Sequence, residues 1–144
     1  MTKRRHFPVW VGLAAALAAA APTARAQSEL APVVDQARAA WLQHDAAALV
    51  QHSDTVRLRL PGIAESASVR PEQAARLLER YFDPCEERSF ELVGLRELAS
   101  DHAYAEVARV YVVQGTDEEL EETVFMGFRL LDGAWRLREV RITR

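Results

Sequence analysis

The sequence predicts an α+β domain, in which a curved, mostly antiparallel sheet packs against N-terminal helices. Three observations support this class. Apolar residues recur at spacings of three and four in much of the first half of the chain, which is the helical period. After Glu87 the pattern changes to strand-length apolar runs separated by short turn signals. Asp132-Gly133, the strongest hairpin signal in the chain, joins the last two runs.

Three segments have helical patterns. The first runs from Leu30 to Leu42 and ends at a His44-Asp45 turn, where Asp45 is a favourable N-cap for a short second helix. The third helix begins at Pro71, because proline is favoured in the first turn, and ends near Asp83-Pro84. Its apolar stripe continues to Cys85, the only cysteine, which we interpret as a buried structural residue rather than a nucleophile.

Five segments have strand patterns. Thr55–Leu60 alternates apolar residues with two outward arginines and ends at Pro61-Gly62. Residues 63–70 are then either a loop or a ragged hairpin. The remaining predicted strands are joined by short turns, and a bulge is expected at Gly94 in the first of them. They are Ser89–Leu98, Ala103–Val113, Glu121–Leu131 and Trp135–Ile142.

Alternation in the last two strands predicts which side chains share a face. In the first of the two, one face carries Val124, Met126, Phe128 and Leu130. In the last strand the apolar residues change parity halfway, so a bulge near Arg138-Glu139 is needed to bring them together. These residues are Trp135, Leu137, Val140 and Ile142.

The first 26 residues have the layout of a secretory signal peptide. Basic residues at positions 3 to 5 precede an uncharged apolar stretch, and Ala24-Arg25-Ala26 matches the small-x-small cleavage pattern. The stretch is shorter than the ~20 residues that span a bilayer comfortably. We therefore expect cleavage near Ala26, no membrane anchor, and a periplasmic or secreted single domain of residues 27–144. Both general and twin-arginine export remain open, because Arg4-Arg5 suits either route.

The charge balance disfavours several partners. Without the leader, 14 basic and 21 acidic residues remain, a net charge of −7. This acidity argues against nucleic acid and against an electrostatic hold on anionic lipid. The densest acidic run, Asp117–Glu122, is predicted to be a solvated loop and strand start. His44, His52 and His102 are far apart and have no cysteine at ligand spacing, so we expect no metal and no cofactor.

Taken together, these elements resemble the nuclear transport factor 2-like (cystatin-like cone) superfamily, especially exported bacterial members of unknown function. The resemblance spans residues 30–142. It rests on the Trp41 helix with its His44-Asp45 turn, the Thr55–Leu60 strand, the Pro71–Phe82 helix and the closing strands. It implies a cone in which the sheet and helices enclose a mostly apolar pocket, in proteins that are often dimers.

Some members of this superfamily, such as ketosteroid isomerase and scytalone dehydratase, use the pocket for proton transfer. Isomerase chemistry needs a carboxylate base, together with a tyrosine and a protonated acid that stabilise the enolate. Alignment on the resemblance places the tyrosine on or near Ala37, the base on the acid-free strand Thr55–Leu60, and the protonated acid at Met126. We therefore expect no catalytic residues of this type and favour a non-catalytic role.

The leading functional hypothesis is the binding of a small apolar ligand in the cone. Two alternatives remain: an interaction module that forms a homodimer through the sheet face bearing Phe125, Gly127 and Leu131, and a proton-transfer enzyme. Glu106 would be a buried carboxylate if it pointed inward, but we favour an outward position because nothing nearby supplies a partner. The candidate pocket residues are Trp41, Tyr81, Tyr104, Glu106, Met126 and Phe128.

Overall fold

The computed structural model of the protein describes residues 22–144. Most of the predicted signal peptide, residues 1–21, lies outside the described residues, and its expected cleavage site falls within the first helix. The elements in chain order are α1 (Pro22–Leu42), α2 (Ala46–Val50), β1 (Val56–Leu60), β2 (Ala64–Val69), α3 (Pro71–Phe82), β3 (Cys85–Ala99), β4 (His102–Val113), β5 (Glu119–Leu131) and β6 (Ala134–Thr143).

The strands form one six-stranded sheet in the order β2-β1-β6-β5-β4-β3. The β1–β6 pair is parallel and the other four pairs are antiparallel. The predicted α+β class and mostly antiparallel sheet are therefore confirmed. Of the two alternatives for residues 63–70, the hairpin is the one observed: β2 pairs with β1, and the register shifts between Leu58 and Leu60.

Bulges set which side chains face the helices. The register of β5 and β6 shifts between Gly127 and Phe128, which leaves Arg138 as the extra residue of β6. The predicted bulge is thus confirmed, and the four apolar residues of β6 are all buried. A second bulge puts Val93 out of register beside Gly94, close to where the sequence placed it.

The helices agree with their sequence signals except at some boundaries. The Asp45 side chain accepts a hydrogen bond from the Ala48 amide at 2.9 Å, as an N-cap does. His44 occupies the left-handed region with φ of +54°, which reverses the chain between α1 and α2. α1 begins earlier than predicted, at Pro22, and β3 begins earlier, at Cys85. Cys85 is buried, and this burial raises the pKa of its thiol.

α1 and α3 pack on one face of the sheet, and α2 packs against both of these helices. We call this face the inner face and the opposite face the outer face. The largest side chains between helices and sheet have at most 1% of their surface exposed. They include Trp41, Phe82, Phe90, Met126 and Phe128. No helix among the described residues is both long and apolar enough to cross a membrane.

Candidate functional site

The six residues predicted to line a pocket divide between the two faces of the sheet. Trp41 and Tyr81 lie on helices that cover the inner face, and Met126 and Phe128 point into the same core from β5. Tyr104 and Glu106 lie on the outer face, because Ala103, Ala105 and Val107 between and beside them are fully buried against the helices. The six side chains therefore do not line one pocket. Glu106 takes the outward position.

The inner four side chains belong to a packed core. Trp41 stacks on Phe90 with ring centroids 4.7 Å apart and meets Phe82 edge-on at 4.9 Å. Trp41, Met126 and Phe128 have no exposed surface at all. Their own neighbours thus occupy the space that an apolar ligand in the cone would need.

A buried cluster of charged and polar side chains lies at one end of this core, and we call it the Arg109 cluster. Arg109, on β4, has no exposed surface. Its Nε donates to both oxygens of Glu87 on β3, at 3.1 and 2.9 Å. Its Nη1 donates to Glu122 Oε2 on β5 at 2.9 Å and to the Tyr81 hydroxyl at 3.1 Å. Arg109 therefore holds two carboxylates from its two neighbouring strands.

The carboxylate of Glu122 accepts hydrogen bonds from four residues, whereas that of Glu87 contacts two. Tyr81 and Tyr111 each donate a hydroxyl to it, at 2.5 and 2.9 Å. Arg109 donates to it as described above, and Arg144 Nε adds a fourth hydrogen bond at 3.1 Å. Burial alone would raise the pKa of Glu122, but these hydrogen bonds and the charge of Arg109 hold it below its ordinary value.

Aromatic rings enclose the guanidinium of Arg109. Its Cζ lies 4.0 Å from the Tyr111 ring centroid, 5.1 Å from Tyr81 and 5.4 Å from Trp41. Burial alone would lower the pKa of Arg109, yet the hydrogen bonds and charge of Glu87 raise it. Burial and the hydrogen bond to Glu122 raise the pKa of Tyr81. The pKa values of Arg109, Tyr81 and Glu122 are therefore all shifted away from neutral pH, so these three groups keep their ordinary charge there.

His44 extends the cluster toward the surface. Its Nε2 lies 3.2 Å from Glu87 Oε1, and its ring stacks on Phe82 at 4.9 Å between centroids. The cluster thus ties the α1–α2 turn, α3 and three strands together. Since every carboxylate in it has several donors, its arrangement suits structural stabilisation rather than substrate binding. Among residues 22–144, no three His, Cys, Asp or Glu side chains are grouped so as to hold a metal ion.

The Arg109 cluster was not predicted from the sequence. The expectation that the whole acidic run is solvated is wrong for Glu122, which is only 5% exposed. A parity signal was present. Glu122 lies on the same face of β5 as Val124 and Met126, and Arg109 lies on the same face of β4 as Val107 and Tyr111. Both charges therefore occupy inward positions of their strands. Two opposite charges at inward positions of neighbouring strands indicate a buried pair.

The outer face carries a second arrangement of the same residue types. Tyr104 donates its hydroxyl to Glu139 Oε2 at 2.6 Å, across Gly127 on the strand between them. A Cβ at Gly127 would lie 3.0 Å from Tyr104 Cε1 and 3.1 Å from Glu139 Cβ, so glycine makes room for this contact. Burial and the hydrogen bond to Glu139 raise the pKa of Tyr104.

One register step along, Phe125 is flanked by opposite charges. Glu106 is its partner on β4 and Arg141 its partner on β6. The Arg141 guanidinium lies 4.6 Å from the Phe125 ring centroid, and its Nε has no hydrogen-bond partner among the described residues. Arg59 is paired with Arg141 in the β1–β6 register, which places two like charges side by side.

Two open clefts, each of about 310 Å³, lie on either side of Tyr104. One contains Phe125, Glu106 and Arg141 with Leu98 from the edge strand. The other contains Gly127, Glu139 and Arg57. The outer face thus presents aromatic, cationic and anionic groups that the chain itself pairs only in part.

This architecture is similar to that of several solved structures. No family model and no curated protein matches the chain. Solved structures do. A domain of unknown function with a cystatin-like fold from Nostoc punctiforme is 17% identical with a TM-score of 0.64, and covers 85% of this chain and 78% of its own. A ketosteroid isomerase-like protein from Erwinia carotovora atroseptica is 15% identical with a TM-score of 0.65, and covers 80% and 92%.

A nuclear transport factor 2-like protein of unknown function from Pseudomonas putida is 17% identical with a TM-score of 0.64, and covers 83% of this chain and 87% of its own. The protein therefore has the nuclear transport factor 2-like fold, as its sequence predicted. At these identities the likeness concerns the fold alone, and function has to be argued from the surfaces of this chain.

Proposed function

We propose that the protein is an exported, non-catalytic interaction domain that pairs with a second copy of itself through the outer face of the sheet. The observation that carries the proposal is the arrangement around β5. Phe125 lies between Glu106 and Arg141, and Gly127 lies between Tyr104 and Glu139. Strand β5 is therefore the centre of a face whose two sides carry complementary groups.

This arrangement is self-complementary under a two-fold axis parallel to β5. Such an axis exchanges β4 of one copy with β6 of the other when the two outer faces meet. Glu106 then faces Arg141 of the second copy, on both sides of the axis, while the Phe125 rings meet near it. The paired charge would also relieve the repulsion between Arg141 and the adjacent Arg59.

The inner face gives less support to the other functions. A small apolar ligand in the cone would have to displace side chains such as Trp41 and Phe128, which are fully buried in the core. For isomerase-type proton transfer, the aligned positions Ala37 and Met126 carry no ionisable group, and the exposed residues of β1 are arginines. A non-catalytic role for the inner face accords with both observations.

Sedimentation velocity of the protein purified from its exported fraction tests the proposal. We expect a concentration-dependent dimer. Glu106→Arg and Arg141→Glu should each weaken dimerisation about tenfold, the effect of ~1.4 kcal/mol, because each places like charges in contact. The double variant Glu106→Arg/Arg141→Glu should recover most of the affinity, because it exchanges the two charges and restores the opposite pair.

The matched controls are Glu72→Arg and Arg76→Glu, which reverse exposed charges on α3 and should leave the dimer unchanged. A protein that stays monomeric at hundreds of micromolar contradicts the proposal. So does a dimer that is insensitive to both single variants, because it would then form through another surface. Circular dichroism of each variant establishes that the fold is retained.

A further inference from the structure

We infer that a cleft between α1, α2 and the start of β6 binds a small amphipathic carboxylate, with its apolar part on the cleft floor and its carboxylate at Arg136. The cleft has a volume of about 370 Å³. It continues into a neighbouring opening of about 500 Å³, which shares Val33, Gln36, His52, Trp135 and Arg136 with it. This site is distinct from the outer-face residues on which the proposed dimer depends.

The cleft exists because the sheet is incomplete there. β1 pairs with β6 only over Glu139–Arg141, so the first half of β6 has no strand beside it on that side among residues 22–144. The turn after α2 partly covers this edge. The Ser53 hydroxyl donates to the Leu137 carbonyl oxygen at 2.6 Å, and Arg136 Nη1 donates to the His52 carbonyl oxygen at 2.9 Å. Both hydrogen bonds hold the cleft walls at a fixed separation.

The floor of the cleft is apolar. Ala37, Ala40 and Ala48 line the helical side, and Phe128 and Leu137 of the sheet lie beneath the floor, almost fully buried. Alanine at these three positions leaves room that larger side chains would fill. An alkyl chain or an aromatic ring of a ligand would be removed from water against this floor.

The polar rim favours an anion. Arg136 makes no ion pair within 4.0 Å in the part of the chain that the structure describes, and its buried Nε has no hydrogen-bond partner there. The 15 residues around the 370 Å³ cleft include no Asp or Glu, and the one carboxylate nearby, Glu29, lines the adjoining opening instead. Gln36, Gln43 and Gln51 add neutral donors.

A carboxylate is the anion that fits this rim. One guanidinium whose Nη1 already holds His52 can bind a carboxylate through its remaining donors, and the amides of the glutamines can bind the second oxygen. A phosphate carries more charge than one arginine neutralises. The apolar floor would gain nothing from an inorganic anion, so the combination selects a molecule with both parts.

The test is a titration of the ¹⁵N-labelled exported protein with octanoate, followed by amide chemical shifts. We expect shifts confined to residues 36–43, 48–53 and 135–137 and a dissociation constant below about 1 mM. Octanol, which lacks the carboxylate, should bind at least tenfold more weakly. Inorganic phosphate should produce no shifts in these segments.

Three variants locate the site. Arg136→Gln should weaken octanoate binding at least tenfold while leaving octanol binding unchanged. Ala39→Phe and Gln36→Phe add bulk from exposed positions of α1 that line the cleft, and both should abolish binding. Ala47→Phe, on the exposed side of α2, is the matched control and should bind octanoate normally.

Shifts elsewhere on the protein, or none at 10 mM octanoate, would overturn the inference. Equal binding of octanol and octanoate, or binding insensitive to Arg136→Gln, would overturn the assignment of the carboxylate to Arg136. Phosphate shifting the same amides as octanoate would show a simple anion site and would contradict the role of the floor. The outcome is separate from dimerisation, which the Glu106 and Arg141 variants report.

Discussion

The two faces of the sheet use the same residue types in opposite ways. On the inner face, Arg109 lies among aromatic rings and is hydrogen-bonded to two carboxylates. On the outer face, Arg141 lies over the Phe125 ring, is only partly buried and has no carboxylate within 4.0 Å among the described residues. Both arginines contact aromatic rings, three for Arg109 and one for Arg141, but only the charge of Arg109 is neutralised by carboxylates of the described residues.

This difference separates stability from recognition. A buried ion pair contributes little net stability compared with apolar residues, but the removal of one partner is costly because the other charge is left without compensation. A partly exposed and unpaired arginine can be changed with little effect on the fold, and its charge remains available to another molecule. Substitutions at matched positions on the two faces should therefore have very different effects.

The largest expected effect comes from Arg109→Met. This change leaves Glu87 and Glu122 buried without their guanidinium, and should lower the free energy of unfolding by about 3–5 kcal/mol. Arg141→Met on the outer face should change it by less than about 0.5 kcal/mol in the monomer. Guanidinium denaturation of both variants, at concentrations below dimerisation, measures the contrast.

A double variant sharpens the comparison. Arg109→Met/Glu122→Gln removes both a positive and a negative charge, so it should be more stable than the sum of the two single losses implies. Strict additivity, or equal losses from Arg109→Met and Arg141→Met, would contradict the idea that the inner charges act as one unit.

The sequence could predict most of the fold and only part of this contrast. Hydrophobic period, the Asp45 cap and the Asp132-Gly133 turn are local signals, and each element they predicted is present. β2 was ambiguous because Ala64–Val69 contains small and polar residues whose pairing depends on β1. The Arg109 cluster combines residues from α1 to the C-terminus, so its assembly depends on strand order, which local patterns do not determine.

The next largest expected effect is on the pH dependence of the free energy of unfolding. Because the pKa of Glu122 is lower in the folded protein than in the unfolded chain, its contribution to stability is present at neutral pH and lost as the pH falls below the ordinary carboxyl range. Each unit of lowering corresponds to about 1.4 kcal/mol. Glu122→Gln should therefore be less stable than the natural protein at pH 7, with a smaller further loss between pH 5 and pH 3.

Urea denaturation of both proteins across this pH range measures the difference. Glu121→Gln, which removes an exposed carboxylate next in the chain, is the control and should follow the natural protein. If Glu122→Gln and the natural protein lost stability in parallel on acidification, the lowered pKa of Glu122 would not be a source of acid sensitivity.

The smallest expected effect concerns two strand glycines. Gly127→Ala would bring a methyl group to 3.0 Å from Tyr104 Cε1 and 3.1 Å from Glu139 Cβ. The Tyr104 ring can move only by weakening its hydrogen bond to Glu139, so the free energy of unfolding should fall by about 1 kcal/mol. A Cβ at Gly94 would meet no atom within 4 Å, so Gly94→Ala should be neutral or stabilise by about 0.5 kcal/mol, because glycine weakens a strand.

Thermal denaturation of the two variants distinguishes their effects on stability. Equal effects would mean that the Tyr104–Glu139 contact over Gly127 is loose, whereas a loss confined to Gly127→Ala would establish that the outer face is ordered before any partner binds.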